Sequence, residues 1–253
     1  MTIELQPIWT AALLIGLRVS GVVLFAPFFG HAAVPARIKA ALVILMTVLL
    51  YPLLAPQLQH RALTPWTIAG ETIVGVAVGL TTNLVFEAAM FAGQILSVQM
   101  GYSLVNIIDP TSQIETTVMS VFHQTIAMLI FLRFNVHHWI LRTVVHSFDY
   151  LPSGGFTNTA PLALASLQVV ASIMQLGLQI AAPVLAATMA TDFALGMLSK
   201  ASPQLPLMIM GPSIKSLLGI IVLSAAMAYW PGMFDRFFTD SITMTDRLLH
   251  LAH

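Results

Sequence analysis

Five ionisable residues interrupt segments that are otherwise apolar: Arg18, Glu71, Glu87, Asp192 and Lys215. At membrane depth each costs roughly 2.5–3.5 kcal/mol on insertion scales, so it faces a partner, a cavity or an ion path rather than lipid. Three acids and two bases suit buried ion pairs, within the chain or across subunits. The acids Glu71, Glu87 and Asp192 would also suit a proton or ion relay in a small-solute transporter, and a charge close to a helix end would simply reach water. The histidines give no metal site: His137 and His138 are adjacent and point to different helix faces, His146 lies two turns from His138, and neither an i, i+4 pair nor an HExxH run is formed. No GxSxG or Walker loop occurs, and with no cysteine there is neither thiol catalysis nor a cysteine zinc site. The chain is therefore not expected to be an enzyme or to carry a cofactor.

The elements that must position these charges are membrane-type helices. Of 253 residues, 58% are hydrophobic and 8% charged, against roughly 25% charged in a soluble domain. Ten basic and ten acidic residues leave no net charge and form no basic block, which sets nucleic acid aside as a partner. The first residues carry Glu4 and no Lys or Arg, so the first hydrophobic segment is expected to be retained rather than cleaved.

About six hydrophobic segments follow, and the fold expected is all-α. The first runs from Ile8 to Phe29 after Pro7, with Ala12, Gly16 and Ser20 forming a small-residue seam. Ala40 to Leu54 is a second, expected to end at Pro52 and Pro56. Ile68 to Gln99 would span about 48 Å as helix, more than a hydrocarbon core of roughly 30 Å. Along it Glu71, Gly75, Gly79, Asn83 and Glu87 recur every four residues, a stripe that belongs against protein. Val118 to Leu132 reads as a short or re-entrant helix, and Asn135 to His146 as an interfacial or protein-buried piece. A domain boundary is expected in the turn-rich run Tyr150 to Pro161. It divides an N-terminal helical gate region, 1–150, from a C-terminal helical hairpin with an exposed amphipathic tail, 151–253. Within the hairpin Pro183 is expected to kink the first helix, Ala182, Ala186, Ala190 and Ala194 form a second seam, and Pro203, Pro206 and Pro212 mark the turn. Lys and Arg are spread almost evenly over the two sides of a six-segment model, which leaves orientation open.

The stretch from Gly93 to Gln113 stands apart. Gly93, Ser97 and Gly101 strip one face of the long helix for close approach. Beyond Met100, Gly101, Tyr102 and Ser103 the residues stay apolar, with Leu104, Val105, Ile107 and Ile108 around Asn106, until Asp109 and Pro110 mark a turn. Irregular backbone at membrane depth is tolerated only where it is buried in protein or lines a cavity. The loop 101–113 is read as a gate or plug, with an ordinary buried turn as the alternative. Gly75, Gly79, Gly93 and Ser97 are the expected helix-packing positions.

These residues resemble the FliR-type flagellar export-gate family of bacterial type III secretion, with the injectisome counterpart as a close relative. The resemblance rests on Arg18-Val19-Ser20-Gly21, Ala26-Pro27-Phe28-Phe29-Gly30, Val34-Pro35-Ala36-Arg37-Ile38-Lys39, Gly70-Glu71, Ala92-Gly93-Gln94 and Gln99-Met100-Gly101 leading to Asp109-Pro110. Leu151-Pro152, Ala181-Ala182-Pro183-Val184, Asp192-Phe193-Ala194-Leu195-Gly196 and Ala201-Ser202-Pro203-Gln204-Leu205 continue it over nearly the whole chain. Val136-His137 and Gly211-Pro212-Ser213 depart from the family pattern, and the second departure leaves the flagellar or injectisome choice open. The resemblance implies a core subunit in the bacterial inner membrane at the flagellar basal body, assembled with sister export-gate subunits. It further implies a loop from Met100 to Pro110 that plugs a channel for unfolded export substrates, and two halves that look like fused sister-subunit folds.

Overall fold

A computed structural model describes residues 5–27, 29–30, 34–58, 62–102, 117–151, 160–202 and 207–251, and among them the regular structure is entirely helical. In chain order the helices are α1 (Leu5–Phe25), α2 (Ala36–Leu58), α3 (Pro65–Gln99), α4 (Val118–Arg133), α5 (Val136–Tyr150), α6 (Ala160–Ala201) and α7 (Leu207–Ala226). A 3₁₀ turn, Met227–Tyr229, leads into α8 (Trp230–Leu251). Among the described residues five stretches are long and apolar enough to cross a membrane: Ile8–Phe25, Ala36–Leu58, Pro65–Gln99, Ala171–Ala201 and Met210–Ser241. A sixth is added if α4 and α5, bent by 70° at their junction, count as one broken span. Asn135 sits at that corner with φ 53°, a left-handed conformation that asparagine tolerates better than most residues.

Two boundaries differ from the sequence reading, each for a physical reason. α2 runs through Pro52 and Pro56 instead of ending there. Each proline forfeits one amide bond, but ending the helix in apolar surroundings would strand several polar groups at once. Likewise α7 begins at Leu207 and carries Pro212 inside it rather than in the turn. The tail lies in the helix α8, which buries Phe234 and Phe238, in line with Trp230 at its start, and leaves Arg236 and Asp240 exposed. Finally, the alanine seam Ala182, Ala186, Ala190 and Ala194 of α6 is exposed, whereas Ala181, Val184, Thr188 and Thr191 form the helix's buried stripe.

Two compact units are formed. One comprises Met1–Leu84, Phe131–Val170 and Phe238–His253; the other comprises Val85–Ile130 and Ala171–Phe237. Compactness groups residues in space, whereas the division expected near Tyr150 is one of chain order.

In the first unit α1 crosses α3 with almost no side chain between them. A Cβ on Gly21 would lie 2.7 Å from the Val76 amide nitrogen, and one on Gly75 would collide with the Arg18 carbonyl. Gly79 abuts Phe25 and the Val22 carbonyl in the same crossing. Gly16, by contrast, meets Thr47 of α2 at an ordinary 3.5 Å. The glycines at 21, 75 and 79 thus bring the α1 and α3 backbones together. In the second unit Gly93 does the same against Ser120 at the start of α4, where a Cβ would come within 2.6 Å of the Met119 carbonyl.

Gly75→Ala should therefore lower unfolding stability by about 1–3 kcal/mol, because neither backbone can yield without moving a helix. Gly196→Ala, where a new Cβ meets nothing within 4 Å, should raise it by about 0.5–1 kcal/mol through helix propensity. Equilibrium unfolding of the full chain in micelles, read by circular dichroism, measures both.

Candidate functional site

The α1–α3 crossing delivers two of the anticipated charges to each other. Arg18 Nε donates to Glu71 Oε2 at 2.7 Å, with the two side chains 1% and 2% exposed. A guanidinium has five donors, and an ion pair alone would leave the rest stranded in a dry site. α5 and the residue that follows it supply two more acceptors: Nη1 donates to Ser147 Oγ at 3.1 Å and Nη2 to the Leu151 carbonyl at 3.0 Å. Ser147 in turn donates to the Val144 carbonyl. The guanidinium also lies 3.8 Å from the centre of the Phe148 ring, a cation–π contact. One side chain of α1 thereby ties α3 and the end of α5 together.

Asp192 and Lys215 form a second pair, Nζ to Oδ1 at 2.9 Å, in the second unit. It is not a buried pair: the aspartate side chain is 47% exposed and the lysine 19%. Gln99, the last residue of α3, donates its Nε2 to the other carboxylate oxygen at 3.3 Å. Glu87 is partly buried and takes part in an interaction of its own. Among the described residues no cluster of three or more His, Asp or Glu is arranged to hold a metal ion.

Gln99 also lies within the stretch that the sequence singles out, just before its candidate plug. Immediately after it α3 ends in a glycine cap. Gly101 takes φ 84°, its amide donates to the Val98 carbonyl, and the Tyr102 amide reaches back to the Ser97 carbonyl at 2.9 Å. That pair of bonds satisfies carbonyls that a helix end otherwise leaves open, and the left-handed residue between them favours glycine. The side chains on either side of Gly101 then fasten to α7. Met100 is 1% exposed and seated against Gly219, where an added Cβ would fall 2.7 Å from its terminal methyl carbon. Ser216 Oγ donates to Tyr102 Oη at 2.6 Å. The foot of the loop is therefore clamped three ways, through Gln99, Met100 and Tyr102. Ser103, Leu104, Val105, Asn106, Ile107, Ile108, Asp109 and Pro110 of the candidate plug lie outside the described residues. Ser97 is fully buried, and among the described residues its hydroxyl has no hydrogen-bond partner.

Sequence reasoning does not single out Ser147, Phe148, Ser216 or Gly219. The available signal for the last two is their spacing from Lys215, which places Ser216 and Gly219 three residues apart on one side of α7.

Comparison of the sequence with known proteins places the chain in a family. The model for bacterial export proteins, family 1, matches residues 9–241. This chain belongs to that family. The flagellar biosynthetic protein FliR of Escherichia coli (strain K12) is 30% identical over 228 residues, 88% of this chain and 87% of the relative. FliR of Bacillus subtilis (strain 168) is 29% identical over 232 residues, 87% of each chain. The secretion system apparatus protein SsaT of Salmonella typhimurium is 25% identical over 163 residues, 64% of this chain and 63% of its own. With its long apolar helices, this member of the family is a bacterial membrane protein.

Arg18→Met should cost about 3–5 kcal/mol of unfolding free energy by leaving Glu71 buried without its partner, and Arg18→Met with Glu71→Met should recover most of it. Chemical denaturation of the single and double variants in micelles tests this. A Tyr102→Phe and Ser216→Ala cycle should give a coupling of about 1 kcal/mol, since either change removes the same bond.

Proposed function

We propose that this chain is a core subunit of the flagellar type III protein export gate, helping to form and seal the channel through which unfolded flagellar proteins leave the cell. The observation that carries this reading is alignment with flagellar biosynthetic proteins over nearly nine-tenths of both chains. The work so assigned requires no bond chemistry. The chain holds a seal across the bilayer and yields to a polypeptide, and the all-helical architecture with its close glycine crossings suits that task.

In this reading the chain sits in the inner membrane at the flagellar basal body, assembled with sister export-gate membrane subunits. Residues 1–150 form the gate region and 151–253 the hairpin and tail. The plug is the segment from Met100 to Pro110, and its described foot supports the assignment. Met100 and Tyr102 are anchored to α7 and Gln99 to α6, so the segment starts from a fixed point.

Similarity to a secretion system apparatus protein supports a second reading, an injectisome export subunit, over a shorter share of the chain. A transporter would need mobile protons on its acids. Glu71 is occupied by Arg18 and Asp192 by Lys215, which favours structural roles for both.

Co-expression with the neighbouring membrane-protein genes, followed by purification on this chain and mass determination, should yield a large complex of fixed composition. A monomer or homodimer that carries ions across liposomes would sink the export-gate reading. Deleting 103–108 should leave the complex intact and raise its ion leak in liposomes severalfold; loss of assembly instead would remove the basis for a plug.

A further inference from the structure

Within the first unit α2 and α5 leave an open groove between them, with a cavity of about 240 Å³. Its apolar walls are Met46, Leu49 and Leu50 from α2 and Leu141 and Val145 from α5, and Arg142 and His146 complete it. α2 is apolar enough to span a bilayer, yet of its 23 residues only Leu54, Ala55 and Leu58 are buried. The groove therefore adjoins a helix whose outer surface the rest of the first unit's described residues leaves open.

Arg142 says what. It is exposed, and among the described residues no carboxylate lies within ion-pair distance of it. The acid on its own stripe of α5, Asp149, sits 3.6 Å from His146 instead. Arg142 is held beside the middle of α2, because ten residues of that helix precede Met46 and eight follow Leu50. At 1.5 Å per residue that is about 12–15 Å from either end. A lipid phosphate belongs at the bilayer surface and does not reach such a position, whereas an acidic side chain on a transmembrane helix does. Intramembrane arginines pair with protein groups for this reason.

We propose that the groove between α2 and α5 seats an apolar helix of another membrane subunit of the export assembly, and that an Asp or Glu on that helix pairs with Arg142. The proposal rests on the export-gate reading for the existence of such subunits; the surface and the chemistry of the contact come from the groove itself. Met46, Leu49 and Val145 take the partner's apolar side chains, and Arg142 sets its depth and rotation.

The test uses the full chain co-expressed with its neighbouring membrane-protein genes, with a photoreactive benzoylphenylalanine in place of Val145 or Leu49. Ultraviolet irradiation should attach one co-expressed subunit, at a helix that contains an acid. Arg142→Glu should lower recovery of that subunit by at least about tenfold while Arg142→Lys retains most of it. Changing the partner's acid to Lys should restore recovery with Arg142→Glu. A helical spectrum and melting temperature matching the unsubstituted chain show that the Arg142 variants fold. Cross-links only to lipid or to a second copy of this chain, or recovery indifferent to the charge at 142 while the complex still forms, would overturn the groove assignment alone. If the unsubstituted chain brings down no subunit, the export-gate reading fails and takes this one with it.

Discussion

A guanidinium sealed away from water is the constraint on which the first compact unit depends. Arg18 lies on a helix otherwise suited to lipid, and burying its charge would be prohibitive without an opposite charge and hydrogen-bond acceptors around it. Glu71 supplies the opposite charge, but only because Gly21, Gly75 and Gly79 let the backbones of α1 and α3 nearly touch. Ser147 and the Leu151 carbonyl add an acceptor for each of the two terminal nitrogens. Packing and electrostatics are thus a single condition here. Without the glycines the pair would be too far apart, and without the pair the crossing would enclose an unsatisfied charge.

The second unit treats its charges differently. Asp192 and Lys215 meet at a partly exposed position, where the pair adds little stability by itself. Gln99 turns that pair into an anchor for the end of α3. Polar contacts at the base of an apolar stretch are individually modest, yet they fix where the chain leaves the helix. Buried Met100 against Gly219 adds the apolar contact beside them.

Much of this was legible in the sequence because membrane depth limits what residues can do. Charges in apolar helices announce pairing, and glycines four apart announce close approach, so Arg18, Glu71, Gly75 and Gly93 stood out. Which acid met which base did not follow, since helical periodicity fixes a face but not the helix opposite it. Prolines misled at Pro52, Pro56 and Pro212, where the cost of opening a helix in apolar surroundings outweighed the lost amide bond. In the tail Arg236 and Asp240 are exposed while Phe234 and Phe238 on the other face of α8 are buried, the two sides of one amphipathic helix. Backbone acceptors such as the Leu151 carbonyl carry no residue signature at all.

The glycine cap at Gly101 has a mechanical meaning. Because the final carbonyls of α3 are satisfied by Gly101 and Tyr102 themselves, the helix does not depend on the chain beyond it for its last bonds. Tension applied downstream of Tyr102 would load the Tyr102–Ser216 bond first and then the buried thioether of Met100, before any turn of α3 began to unwind. The cap and clamp together fix the point at which the chain leaves the long helix, so that a pull from beyond Tyr102 would meet side-chain anchors before it met helical hydrogen bonds.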